Sequence, residues 1–277
     1  MRPVRPVPQP LRWVVSDVDG TIVTSAKEVT PATRAAVKRL RAAGVGLTLA
    51  SSRPPWGIRH VAAALDAPGP LIGFNGAVAA DGDGRPLESR RIPREAAAAA
   101  IDLLARERTG AWLFTASRWL ILDPQGPHVE HERRTIQTDP AVVPDFRPWL
   151  DGACKIVGVS DDHDRLAAVA ARLAARLGAG AKVSMSQKYY VDVTPPGVSK
   201  GTAVEWTARV MGAPPAQIMA IGDMDNDVAM FRVAGYAVAM GNGSPAAKAA
   251  ADAVTAGNDA DGFAAAINAV LDQAGAS

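Results

Sequence analysis

The chain has 277 residues with 30 basic and 28 acidic side chains, and a net charge of +2 offers no electrostatic footprint for nucleic acid or an anionic membrane surface. Its length suits one large or two modest domains with a proper core, and no apolar run is long enough to span a bilayer. The single cysteine, Cys154, lies in the apolar run Cys154-Lys155-Ile156-Val157-Gly158-Val159, which reads as a strand with a buried, inert thiol and points to a reducing cytoplasm.

Residues 1–10 alternate proline with other residues, lack an apolar signal region and read as a disordered or extended lead-in. Trp13-Val14-Val15-Ser16 is predicted to be a buried strand, and it runs into Asp17-Val18-Asp19-Gly20-Thr21. Two carboxylates two positions apart at a strand's carboxyl end suit phosphoryl chemistry. One can attack phosphorus, the other can handle protons, and both can give oxygen to a hard cation. Asp and Gly also make ordinary turns, so the pentapeptide does not decide by itself. Thr30 is predicted to cap a helix that Pro31 opens and Gly44 closes. A strand over 45–50, a helix over 54–66 and a strand over 71–74 follow. That alternation predicts a parallel sheet with helices on both faces and a site at the strands' carboxyl ends. The strand at 45–50 ends in Ser51, which either binds a phosphate oxygen or caps the next helix. Asp81-Gly82-Asp83-Gly84 reads as a hairpin turn.

From about Leu87 to Tyr190 the pattern changes. A helix over 94–107 and strands over 111–114 and 119–122 come first, then a proline-rich stretch over 123–150. A strand over 154–159, a helix over 162–178 and strands near 181–186 and 188–193 complete a separate α+β unit. Arg118, Lys155 and Lys188 could meet an anionic group, and Trp119 and Tyr189 could stack on a sugar ring; surface charge and core packing explain them equally. His128-Val129-Glu130-His131 has no third ligand nearby and is set aside as a zinc site.

Lys200 stands at the start of a further helix, where the macrodipole disfavours a cation, so its placement asks for a reason. Ile221-Gly222-Asp223-Met224-Asp225-Asn226-Asp227 again follows a strand-like run. A calcium loop is excluded, because its sixth and twelfth positions hold Val228 and Ala234 in place of Gly and Glu. Capping the next helix needs one polar residue and the stretch has four, so it reads as the other half of a metal site. Gly241-Asn242-Gly243 lacks the third glycine of a dinucleotide loop and reads as a turn.

Taken in order, Asp17-Val18-Asp19-Gly20-Thr21, Ser51, Lys200 and Gly222-Asp223-Met224-Asp225-Asn226-Asp227 resemble the motifs of the haloacid dehalogenase-like hydrolase superfamily. The likeness is to its Cof-type phosphatases with a C2B-type cap, and it runs from Trp13 to about Val270. Gly73-Phe74-Asn75-Gly76-Ala77 and Asn258-Asp259-Ala260-Asp261-Gly262-Phe263 are also similar to that family. The resemblance implies a Rossmann-like α/β core over 11–87 and 191–277, with helices on both faces of a parallel sheet. An inserted α+β cap over 88–190 would select the substrate. The implied activity is a Mg²⁺-dependent phosphatase of small phosphorylated metabolites, sugar phosphates first, with an aspartyl-phosphate on Asp17 and Asp19 as general acid and base. Mg²⁺ would be held by Asp17, the Asp19 carbonyl and Asp223, with Asp227 steadying the shell. Ser51, Lys200, Asn226 and the backbone at Gly20 would grip phosphate, and Ser52, Arg53, Arg118 and Lys188 would face the rest of the substrate. Ser52 stands where the family usually has Gly, which loosens the choice between Ser51 and Ser52. A phosphomutase of the same superfamily and a phospho-accepting regulatory protein remain alternatives; Asp19 and the inserted unit weigh against the second. No nucleic-acid or membrane partner is expected, and a monomer or small homo-oligomer fits.

Overall fold

A computed structural model describes residues 5–275. The chain divides into two compact units: residues up to Arg85 together with those from Ser199 onward, and the intervening Pro86–Val198. The first unit contributes strands β1 (Trp13–Ser16), β2 (Gly46–Ala50), β3 (Leu71–Gly73) and β4 (Val78–Ala80), and the chain leaves it along β5 (Pro86–Ser89). The second unit holds β6 (Gly110–Phe114), β7 (Trp119–Ile121), β8 (Ala141–Val142), β9 (Lys155–Val159), β10 (Lys182–Gln187) and β11 (Tyr190–Thr194). The first then resumes with β12 (Ile218–Gly222), β13 (Tyr236–Ala239) and β14 (Ala253–Val254). Its strands lie in the order β14-β13-β12-β1-β2-β3-β4, parallel throughout except for antiparallel β4.

β1 is a continuous apolar run because it is buried on both faces. Val14 joins a cluster with Leu40, Leu49, Ile221 and Ile267, while Val15 joins another with Ala50, Ala220, Met230 and Phe231. Each large aliphatic side chain there contributes roughly 2 kcal/mol of burial, and the one polar residue inside β2, Thr48, is hydrogen-bonded to the Trp13 indole N–H at 2.8 Å. The helices supplying these clusters are α1 (Pro31–Ala42), α2 (Arg59–Ala64), α6 (Gly201–Met211), α7 (Val228–Val233), α8 (Pro245–Ala250) and α9 (Gly262–Gly275). Those of the second unit are α3 (Arg94–Arg106), α4 (Val129–Ile136) and α5 (His163–Leu177). α1 begins where the sequence says it should, with the Thr30 hydroxyl accepting from the Thr33 N–H at 3.1 Å. The helix expected over 54–66 is shorter, a 3₁₀ turn at Pro55–Gly57 followed by α2, with the break at Ile58, whose φ is −115° and ψ 1°.

The second unit is a six-stranded sheet in the order β10-β11-β9-β6-β7-β8. Leu113, Leu120, Ile156 and Val191 on one face pack with Leu104 of α3 and Leu166, Val169 and Leu173 of α5. β11 pairs antiparallel with β9 through Val193 and with β10 through Thr194, and this unit runs to Val198, beyond the expected boundary at residue 190. The proline-rich stretch conceals α4, whose turns are tied by Glu130 to Arg133 and Arg134, both at 2.7 Å. The prolines nearest to it, Pro127 and Pro140, flank the helix without entering it.

Of the two expectations for the lead-in, the described residues fit an extended segment. Residues 1–4 lie outside the described residues, but from Arg5 the chain is held. The Arg5 Nη2 pairs with Asp252 at 2.6 Å and reaches the Phe231 carbonyl at 3.1 Å, its Nη1 donates to the Ala234 carbonyl, and Val7 packs on the core. Prolines forbid helix but allow an extended segment to lie along a surface, and one guanidinium has donors enough to fasten it. Among the described residues no helix is long and apolar enough to cross a membrane.

Candidate active site

Parallel pairing of β12, β1 and β2 brings their carboxyl ends to one edge of the sheet. The Asp17 N–H extends the ladder to the Ile221 carbonyl, and the Ser51 N–H does the same to Ile72, both at 2.9 Å. Asp17, Ser51 and Asp223 therefore stand in a row by topology alone. Carboxylate oxygens of Asp17, Asp223 and Asp227 gather within 4.8 Å of one another, and all three residues are buried. Lys200, only 2% exposed, enters from the start of α6. Its Nζ lies 2.7 Å from Asp17 Oδ1 and 2.6 Å from Asp227 Oδ1. Two carboxylates give the lysine the reason its helix position lacked.

Burial raises the Asp17 carboxyl well above the usual range, with Lys200 pulling it down and Asp227 and Asp223 adding to the rise. Asp223 is raised by burial first, and Asp227 adds to that rise. Burial would lower Lys200, but Asp17 and Asp227 outweigh it and keep the ammonium charged. Three buried carboxylates thus share one cation, an excess of negative charge that a hard divalent ion would relieve.

Asp227 serves the loop as well. Its Oδ2 accepts the N–H groups of Asp223 and Met224, both at 2.9 Å, while Oδ1 takes Lys200. Gly20 is needed for its missing side chain: at φ +76° a Cβ there would lie 2.3 Å from Asp223 Oδ2. The first acidic loop can therefore close on the second. The Thr21 hydroxyl donates to Asp223 Oδ1 at 3.3 Å.

Asp19 turns elsewhere, pairing with Arg53 and with Lys27 at 2.7 Å. Burial would raise its carboxyl, but Arg53 and Lys27 prevail and hold it below the ordinary range. Arg53, expected to face substrate, is thus engaged with Asp19. Ser51 is 1% exposed, and its Oγ accepts the Arg53 N–H at 3.1 Å. Ser52 is half-buried and Asn226 exposed, with the Asn226 amide donating to Asn75 Oδ1 at 3.2 Å.

The candidates of the second unit have local explanations. The Arg118 guanidinium carbon lies 5.2 Å from the centre of the Trp149 ring, and Lys188 is exposed at the turn between β10 and β11. Lys155 is buried against Asp192 at 2.7 Å, Trp119 is a core residue, and Tyr189 stacks on His128 with centroids 4.1 Å apart.

Three asparagines near the acidic loops were not singled out as site residues. Asn242 donates to the Gly20 carbonyl at 2.9 Å and accepts from the Asn258 N–H at 2.9 Å, while Asn258 donates to the Val23 carbonyl at 3.1 Å. Asn75 holds Asn226. Asn75 and Asn258 lay in the segments of family likeness, which was the available signal. Lys27 had none, because only the fold carries it back to Asp19.

A family model described as haloacid dehalogenase-like hydrolase matches residues 14–267. The chain is 25% identical over 278 residues to a 5-amino-6-(5-phospho-D-ribitylamino)uracil phosphatase of Bacillus subtilis, covering 92% of this chain and 96% of that protein. It is 29% identical over 234 residues to an HMP-PP phosphatase of Cronobacter sakazakii, covering 83% of this chain and 84% of that one. Among solved structures, a haloacid dehalogenase-like hydrolase from Bacteroides thetaiotaomicron superposes with a TM-score of 0.86 at 27% identity, over 94% of this chain and 99% of the other.

Proposed function

The chain belongs to the haloacid dehalogenase-like hydrolase family, and we propose that it is a Mg²⁺-dependent phosphatase of small phosphorylated metabolites, sugar phosphates first, working through an aspartyl-phosphate on Asp17. The observation that carries this reading is Lys200 buried between Asp17 and Asp227 with Asp223 beside them. The two relatives named for different phosphorylated small molecules support the substrate class.

In this reading an Asp17 oxygen bonds to phosphorus as the bond to the leaving oxygen breaks, and Lys200 offsets the repulsion between carboxylate and phosphate. Asp19 gives its proton to the leaving oxygen. Water then attacks the phosphoryl group, returns a proton to Asp19 and frees Asp17. Asp19 rests here as an ion-paired carboxylate, the form the second step needs. For the first step it must part from Arg53 and Lys27 and take up a proton.

The donor set fits a hard cation: oxygen ligands only, buried, with more negative charge than Lys200 can balance. Asp17, Asp223 and the Asp19 carbonyl would hold Mg²⁺, and Asp227, its oxygens already engaged, would keep Lys200 and the Asp223 loop in place. When bound, the ion supplies positive charge against the phosphate oxygens. Ser51, Asn226 and the main chain around Gly20 would receive those oxygens. Ser52, next to Ser51, is assigned to the organic part of the substrate. The buried Cys154 thiol is pushed up to about 12 by its burial and is unreactive.

The test is phosphate release from a panel of sugar phosphates, nucleotides and an aryl phosphate, with Mg²⁺ and with EDTA. The reading expects release that EDTA abolishes. A folded protein releasing nothing from the panel, or releasing phosphate equally in EDTA, would contradict it.

A further inference from the structure

The turn between β3 and β4 is unlike the other loops of the first unit. Phe74, Asn75 and Gly76 follow one another with φ of 51°, 56° and 102°. A left-handed backbone is costly for a residue as bulky as Phe, so the surroundings must impose it. They do so from two sides. The Phe74 N–H donates to the Arg53 carbonyl and the Asn75 N–H to the Ser51 carbonyl, both at 2.9 Å. A Cβ on Gly73 would lie 2.3 Å from Pro55 Cδ, and one on Gly76 would lie 2.1 Å from Thr202 Oγ1 and 2.5 Å from the Ser199 carbonyl. The turn is therefore wedged between the Ser51 loop and the helix start that carries Lys200.

What this placement achieves is visible in the Asn75 side chain. Its Oδ1 accepts from Asn226 Nδ2 at 3.2 Å, across 151 positions of sequence. With that oxygen committed, Asn75 presents only its amide N–H groups, which donate to no described residue, on a half-buried side chain. A donor pair without an acceptor, beside Ser51 and Asn226, suits an anion.

We infer that Asn75 is a positioning residue for phosphate: it fixes the Asn226 amide and adds its own N–H donors to the same cradle. The inference rests on the assignment of Asn226 to phosphate made above. The strained turn exists to set this side chain against Asn226.

The backbone and side-chain contributions can be separated, because glycine accepts φ of 56° without strain. Inorganic phosphate is titrated calorimetrically, with Mg²⁺ present, into the wild type, Asn75→Gly, Asn75→Asp, Asn226→Ala and the double variant Asn75→Gly/Asn226→Ala. Steady-state kcat and KM are measured alongside. Losing one or two hydrogen bonds should weaken phosphate binding by Asn75→Gly about five- to tenfold, with a matching rise in KM. Asn75→Asp, isosteric but with a carboxylate toward the anion, should lose at least as much. In the double variant the effects should fall short of their product, because the two amides act as one unit. Phosphate affinity within twofold of wild type in both Asn75→Gly and Asn75→Asp would overturn the inference and leave the phosphatase reading standing. A wild type that neither binds phosphate nor releases it from any substrate would overturn both.

Discussion

At the scale of single residues, the charged side chains that gather in the candidate site were legible, because burying a charge restricts the residue type. Carboxylates at two strand ends and a lysine at a helix start each needed a reason, and one buried cluster supplies it for Asp17, Asp223, Asp227 and Lys200. Among the neutral hydrogen-bonding residues, Ser51 and Asn226 were singled out, but Asn75 and Asn242 were not. Asn75 and Asn242 sit among glycines and read as turn formers, and their partners Asn226 and Gly20 are remote in sequence. Arg53 and Lys27 illustrate a further gap, since charge can be read from a sequence but its partner cannot. Two outcomes are expected at this scale. Asp19→Asn keeps the shape but cannot donate or take the proton, and kcat at saturating Mg²⁺ should fall by about two to four orders of magnitude; a near-normal rate would move that task to another group. Gly20→Ala should push against Asp223, because its Cβ has 2.3 Å to Oδ2 and its φ is +76°. The Mg²⁺ concentration for half-maximal activity should rise about tenfold or more, as when the support of a metal ligand is disturbed. An unchanged Mg²⁺ requirement would show that Asp223 is not the ion's ligand.

At the scale of elements, the continuous apolar runs of the parallel strands and the capped, proline-led start of α1 were plain from the sequence, because burial and backbone chemistry act locally there. α4 and the docking of Arg5 were not. Proline marks where a helix cannot be, and says nothing of the residues between two of them, where the eight-residue α4 forms. The latch at Arg5 depends on Asp252, at the far end of the chain. Burial would raise the Asp252 carboxyl, but the Arg5 side chain and the Arg5 and Ala237 N–H groups hold it below the ordinary range. A carboxyl lowered on folding stabilises above its unfolded value near 3.9, and that contribution is lost as pH falls below it. Arg5→Ala should therefore cost about 2 kcal/mol in urea unfolding at pH 7, and the gap should narrow at pH 3. A gap of the same size at both pH values would assign the loss to packing alone.

At the scale of the whole molecule, the buried Asp–Lys cluster draws on both ends of the chain. β1 lies between β2, which follows it directly, and β12, which comes about 200 residues later. The Asp17–Lys200–Asp227 cluster thus cannot form until the sheet has taken strands from either side of the inserted unit. The alternation of strands and helices made this sheet legible; the expected end of the insertion, residue 190, falls inside the strand read near 188–193, whereas the second unit runs on to Val198. The central claim is that a folded sheet edge presents Asp17 as the nucleophile. Its most direct test is to mix wild-type enzyme with a rapidly cleaved substrate and Mg²⁺, quench in acid within the first turnover, and map the peptides by mass spectrometry. A phosphoryl group on the peptide holding Asp17, absent from Asp17→Asn and gone after turnover ends, is the predicted result. Turnover that leaves no phosphoryl group on Asp17 at any quench time, or Asp17→Asn retaining more than about a tenth of the wild-type rate, would contradict the account.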